Sequence, residues 1–118
     1  MRRAEDTLQA SIINYLRLVC PDLIIAAIPN GGKRGPAEGA MLKRTGMLKG
    51  LPDIVIVGYL GKSYWIEVKT AKGRLSPGQS AIALQMTTMG VPSAVCRSID
   101  DVRVALAAWK IETREVRK

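Results

Sequence analysis

The stretch Asp53-Ile54-Val55-Ile56-Val57, Gly58-Tyr59-Leu60-Gly61-Lys62, Ser63-Tyr64-Trp65-Ile66-Glu67-Val68-Lys69-Thr70 decides the fold. Two runs rich in β-branched and apolar residues flank a glycine-bounded turn, the pattern of a β-hairpin. With a three-residue turn at Tyr59 to Gly61, residue numbers across the antiparallel pair sum to about 120, which sets Asp53 opposite Glu67. Strand side chains alternate faces, so Glu67 and Lys69 share one face while Ile66 and Val68 take the other. The hairpin thereby gathers two carboxylates and an ammonium.

Downstream, Ser76-Pro77-Gly78-Gln79 reads as a helix start. Ser76 is the N-cap, Pro77 takes the first helical position and Gln79 can complete a capping box. The helix runs to about Met89, where Gly90 supplies a left-handed stop. Val91 to Arg97 is a further strand, and Ser98-Ile99-Asp100-Asp101 opens a last helix with Ile99, Val102, Leu106 and Trp109 on one face. Upstream, Leu8, Ile12, Leu16 and Val19 recur at helical spacing from Thr7 to Val19, and Pro21 prevents continuation. Glu5 lies one turn before Leu8 on the same line; if the helix begins early enough, a carboxylate points to the core side, which calls for a partner. Leu23 to Ile28 reads as a buried strand ending in the loop Pro29-Asn30-Gly31-Gly32, and Pro36 and Gly46 bracket a short helix. The order α-β-α-β-β-α-β-α describes one α/β domain over residues 1–118, a central mixed sheet flanked by helices, with a charged tail over 112–118.

The chain carries 18 Lys and Arg against 10 Asp and Glu, a formal charge of +8. Such an excess points to a polyanionic partner, nucleic acid first. Between Asn30 and Gly50, Lys33, Arg34, Lys43, Arg44 and Lys49 face a single acid, Glu38, on Gly-rich backbone suited to phosphate contacts. With Asn30, Lys72 and Arg74, these cations are the candidate DNA-binding residues. Histidine is absent, which removes every Ser-His-Asp or Cys-His arrangement and leaves carboxylates, lysines or a hard metal for any chemistry. Cys20 and Cys96 lie far apart in apolar surroundings and read as core thiols of a reduced, cytoplasmic protein. The first residues turn acidic where a signal peptide turns apolar, and no run is long enough to span a bilayer, so no membrane partner is expected.

Two carboxylates at opposed strand positions have Cβ atoms roughly 5 Å apart and repel each other. A divalent cation removes that cost, and Mg²⁺ takes one or two carboxylates with several waters, with no need of histidine. The same residues also suit a plainer reading, in which Asp53 is a turn residue after Pro52 and Glu67 and Lys69 form a solvated ion pair. Gly58-Tyr59-Leu60-Gly61-Lys62-Ser63 is no P-loop, because Ile56 stands where the first glycine is required and a strand follows where a helix is needed. Trp65 suits either base stacking or packing and is left out of the site.

Gly50-Leu51-Pro52-Asp53-Ile54, Trp65-Ile66-Glu67-Val68-Lys69 and Gly73-Arg74-Leu75-Ser76-Pro77-Gly78-Gln79 together resemble the PD-(D/E)XK nuclease superfamily, with its restriction-endonuclease-like core, and more narrowly its VRR-NUC family. The resemblance extends upstream through Pro29-Asn30-Gly31-Gly32 to the helix bearing Glu5. It implies that Asp53, Glu67 and the main-chain carbonyl of Val68 bind Mg²⁺ or Mn²⁺, with Glu5 contributing from the first helix. Lys69 is then the catalytic lysine, and Gln79 matches a glutamine reaching the site from the following helix; its capping role is the alternative. Short stand-alone members, from phages and bacteria, are similar to Holliday-junction resolvases, which implies a homodimer nicking four-way junctions. The alternatives are a nuclease preferring flaps, splayed arms or duplex, and a non-catalytic DNA-binding module on the same fold.

Overall fold

The computed structural model describes residues 3–29 and 35–115. The elements are α1 (Arg3–Val19), β1 (Ile24–Ala27), α2 (Pro36–Arg44), β2 (Ile54–Val57), β3 (Ser63–Val68), α3 (Pro77–Thr88), β4 (Ser93–Cys96) and α4 (Ile99–Ala108). The order is the expected one. The strands are trimmed at their ends, so Asp53 and Lys69 fall just outside β2 and β3, and α1 begins four residues earlier than Thr7, which places Glu5 in its first turn.

One sheet holds the strands in the order β1-β2-β3-β4. β1–β2 and β2–β3 pair antiparallel and β3–β4 pair parallel; α3 provides the crossover that a parallel pair requires. The hairpin pairs Ile54 with Ile66 and Val57 with Ser63. That is the predicted register, and its next step outward sets Asp53 against Glu67. The turn is a 3-10 element at Tyr59–Gly61, with Leu60 at φ 61° and Gly61 at φ 73°.

α1 and α4 cover one sheet face. Ile12, Leu16 and Val19 from α1 and Val102, Ala105 and Leu106 from α4 pack with Ile25, Ile54, Ile56, Ile66, Val68 and Cys96. The core is aliphatic, as the composition demands. Cys20 and Cys96 are buried and unbridged, and burial pushes both thiols up, that of Cys96 to about 12, so both are core residues. The expectation of a buried strand at Leu23 to Ile28 needs correction. β1 lies at the sheet edge, and only its Ile25 is buried while Ile24 is 65% exposed. A continuous apolar run does not by itself distinguish a two-sided buried strand from an edge strand with one covered face.

The chain beyond α4 is strapped to the helices. The Arg114 amide donates to the Val19 carbonyl, and Glu115 accepts from Tyr15 and from Arg103, whose guanidinium also stacks on the Tyr15 ring. Among the described residues no helix is long and apolar enough to cross a membrane.

Candidate active site

Asp53 and Glu67 are the buried charged residues among those described, 5% and 6% exposed. Asp53 is delivered by Gly50-Leu51-Pro52, a segment pressed against the start of α3. Gly50 has φ +100°, and a Cβ there would lie 2.8 Å from the Gly78 carbonyl oxygen. Only glycine meets both demands. This contact joins the approach to Asp53 with the approach to Gln79.

Because β2 starts only at Ile54, the Asp53 side chain serves where main chain would otherwise pair. Its Oδ2 accepts from the Val68 amide at 2.8 Å, and its own carbonyl accepts from the Ile28 amide at 2.7 Å. These bonds fix the carboxylate beside the end of β3, where Glu67 and Lys69 project to the face opposite the main core. Lys69 Nζ stands 3.8 Å from Glu67 Oε2, with the two side chains 11% and 7% exposed. The solvated ion pair allowed by the sequence is therefore not what forms; the pair is buried.

Gln79 unites the two roles that its sequence left open. Its backbone amide donates to Ser76 Oγ and its Oε1 accepts from the Ser76 amide, completing the capping box. Its Nε2 donates to Glu67 Oε2 at 3.1 Å. A capping geometry holds the amide rigidly enough for its other end to orient a carboxylate. Between α3 and the sheet, Pro52, Glu67, Leu75, Gln79, Ala83, Ser93 and Val95 line an open cleft of about 220 Å³.

Burial is the largest cause raising the Glu67 pKa, from the ordinary 4.5 to about 8. Its hydrogen bond to Asp53 and the Asp53 charge raise it further, Lys69 opposes, and the Glu5 charge adds to the rise. Half-buried Glu5 thus acts on the site electrostatically. Among the described residues no group of three or more His, Cys, Asp or Glu side chains gathers as a metal site, so the carboxylate donors in place are the Asp53–Glu67 pair. Two buried carboxylates in contact hold together either by sharing a proton or by binding a cation. Oxygen donors with no histidine suit Mg²⁺ or Mn²⁺, and a two-carboxylate set matches the habit of Mg²⁺ to keep several waters.

Lys43, Arg44, Lys49, Lys72 and Arg74 are all exposed, the first two on α2, which buries no residue. Asn30, Lys33 and Arg34 lie outside the described residues. Sequence reasoning missed the Gly50–Gly78 contact, whose signal was a glycine before Leu-Pro-Asp.

The sequence model of the VRR-NUC domain matches residues 4–100. The chain belongs to the VRR-NUC family, a nuclease-type domain whose substrate is DNA. Two solved structures share the fold. A protein described as a VRR_NUC domain protein superposes with a TM-score of 0.70 at 24% identity, covering 92% of this chain and 89% of its own. Another, described as a VRR_NUC domain, gives 0.62 at 16% identity, covering 89% and 96%. No curated protein matches the sequence.

Proposed function

We propose that this chain is a Mg²⁺- or Mn²⁺-dependent endodeoxyribonuclease, with Asp53, Glu67 and the Val68 carbonyl holding the metal. The observation that carries the reading is the buried Asp53–Glu67 pair with Lys69 beside it. A metal held by these residues would supply polarisation of the scissile phosphodiester and a lowered pKa for the attacking water. Lys69 places an ammonium where charge develops on the phosphoryl oxygens. Asp53 is immobilised by the Val68 amide and Glu67 by Gln79, so the two carboxylates are oriented before any ligand arrives. Glu5 adds negative charge from α1, which favours cation binding. The exposed cations Lys43, Arg44, Lys49, Lys72 and Arg74, with Asn30, Lys33 and Arg34, contact phosphates along the DNA.

The substrate we propose is a four-way junction, nicked by a cytoplasmic homodimer with one cut from each subunit. Support for pairing comes from α3, whose apolar and polar residues are mixed around the helix: it buries only Met86, and Leu84 on the helix and Met89 at its C-cap are exposed; exposed apolar side chains grouped in this way suit an interface. The test incubates the protein and its Asp53→Ala and Lys69→Ala variants with labelled four-way junction, flap, splayed-arm and duplex DNA, with and without Mg²⁺, alongside light scattering. Mg²⁺-dependent nicking of the junction by a dimer, lost in both variants, is expected. Metal-independent binding without nicking overturns the nuclease, preference for another DNA overturns the junction, and a monomer overturns paired cutting.

A further inference from the structure

Arg97 follows β4 directly and is exposed, but its guanidinium is turned inward onto main chain. Its Nη1 donates to the carbonyls of Thr70 at 2.6 Å and Gly73 at 2.7 Å, with a longer contact to Ala71 at 3.4 Å. These oxygens belong to the turn that follows Lys69, which has one closing main-chain bond of its own, Gly73 N to Thr70 O at 3.0 Å. Charge-assisted bonds to two or three carbonyls are stronger than that single neutral one. The base of Arg97 is itself fixed. Its amide donates to Asp101 Oδ2, and the Asp101 amide donates to Ser98 Oγ, the N-cap of α4.

The turn touches the site. Gly73 lies beside the shaft of Lys69, where a Cβ on Gly73 would just reach van der Waals contact, 3.4 Å from Lys69 Cδ. The turn also carries exposed Lys72 and leads into Arg74. Released from Arg97, it would keep the one bond between Thr70 and Gly73, and the wall beside the lysine methylenes would loosen.

We propose that Arg97 is a positioning residue: by gathering the Thr70, Ala71 and Gly73 carbonyls it holds the turn that keeps the Lys69 ammonium on Glu67. This rests on the nuclease reading of Lys69. Arg97 acts through the turn and its Nη1 is spent on carbonyls, so its loss lowers the cleavage rate more than DNA affinity.

The test compares Arg97→Met, which keeps an apolar shaft without donors, with Arg97→Lys, whose ammonium offers three donors on one nitrogen. Four quantities are measured: the single-turnover rate at saturating junction DNA in Mg²⁺, junction affinity in Ca²⁺, thermal melting, and amide hydrogen exchange over 70–74. Misplacement of a reacting group by about 1 Å costs on the order of 100-fold, so Arg97→Met is expected to slow cleavage roughly 10- to 100-fold. Affinity should change at most about threefold, well below the loss of rate expected from misplacement. Exchange over 70–74 rises, melting falls by at most a few degrees because the lost bonds are exposed, and Arg97→Lys restores both rate and protection. Cleavage by Arg97→Met at the wild-type rate overturns the proposal. So does an affinity loss as large as the rate loss, which would make Arg97 a phosphate ligand. If the wild-type protein nicks no DNA, the nuclease reading fails by itself, and exchange alone judges the clamp: raised exchange in Arg97→Met upholds it and unchanged exchange overturns it.

Discussion

Glu67→Gln separates what the site costs the fold from what it gives the chemistry. In the metal-free folded protein Glu67 holds its proton up to about pH 8, against 4.5 for the free side chain. Between those values the folded state binds a proton that the unfolded state has released, so stability falls as pH rises from about 4.5 to about 8. The gap of about 3.5 pH units, at about 1.4 kcal/mol each, sets a ceiling of roughly 5 kcal/mol. Relaxation and water entry around an ionised carboxylate reduce the expected loss to about 2–4 kcal/mol. Glutamine has the same shape, offers N–H to Asp53 and still accepts from Gln79, and it never ionises. In EDTA near pH 8, Glu67→Gln is therefore expected to melt roughly 8–15 °C above wild type, and near pH 5 the two should converge. Mg²⁺ should raise the wild-type melting temperature and leave the variant unmoved, because stabilisation by a ligand requires binding to the folded state. Thermal melts across this pH range, with EDTA and with Mg²⁺, make the comparison. A wild-type melting temperature that does not fall with pH, or a variant less stable than wild type near pH 8, refutes the reasoning.

Gly50→Ala puts a Cβ against the Gly78 main chain at a positive φ; the expected cost is about 2–4 kcal/mol, read by denaturant unfolding, with cleavage impaired in the fraction that folds. Gln79→Ala loses both the cap and the bond to Glu67, so roughly 1 kcal/mol of stability and about tenfold in rate should go together. Gln79→Glu keeps the cap acceptor but sets another negative charge against Glu67 once Glu67 ionises, and its metal-free form should be less stable than Gln79→Ala in melts above about pH 8. Lys43→Ala with Arg44→Ala should weaken binding evenly across DNA sequences and flatten the slope of log affinity against log salt by up to about two, measured by fluorescence anisotropy.

The hairpin was legible because its information is local. Turn length fixes register, and register alone set Asp53 against Glu67. The α3 cap was equally local, since Ser76, Pro77 and Gln79 lie within one turn. Burial was not legible to the same degree. A Glu-x-Lys strand reads the same whether solvated or covered, and it took the packing of α3 and of the Gly50–Gly78 contact to bury the pair. β1 fails for a related reason, as Ile24 is no less apolar for being at an edge. Arg97 lies 24 residues or more from the carbonyls it gathers, and no spacing rule joins an arginine to a distant turn.

The most direct measurement of the central claim is the nicking rate of a labelled four-way junction as Mg²⁺ is titrated into wild-type protein, Asp53→Asn and Glu67→Gln. The account predicts a saturable, metal-dependent rate in wild type and a loss of about 10³-fold or more in each variant, on the scale expected when the chief electrostatic stabiliser of the transition state is removed, with both variants folded. Nicking that persists in either variant, or that proceeds in EDTA, would contradict it.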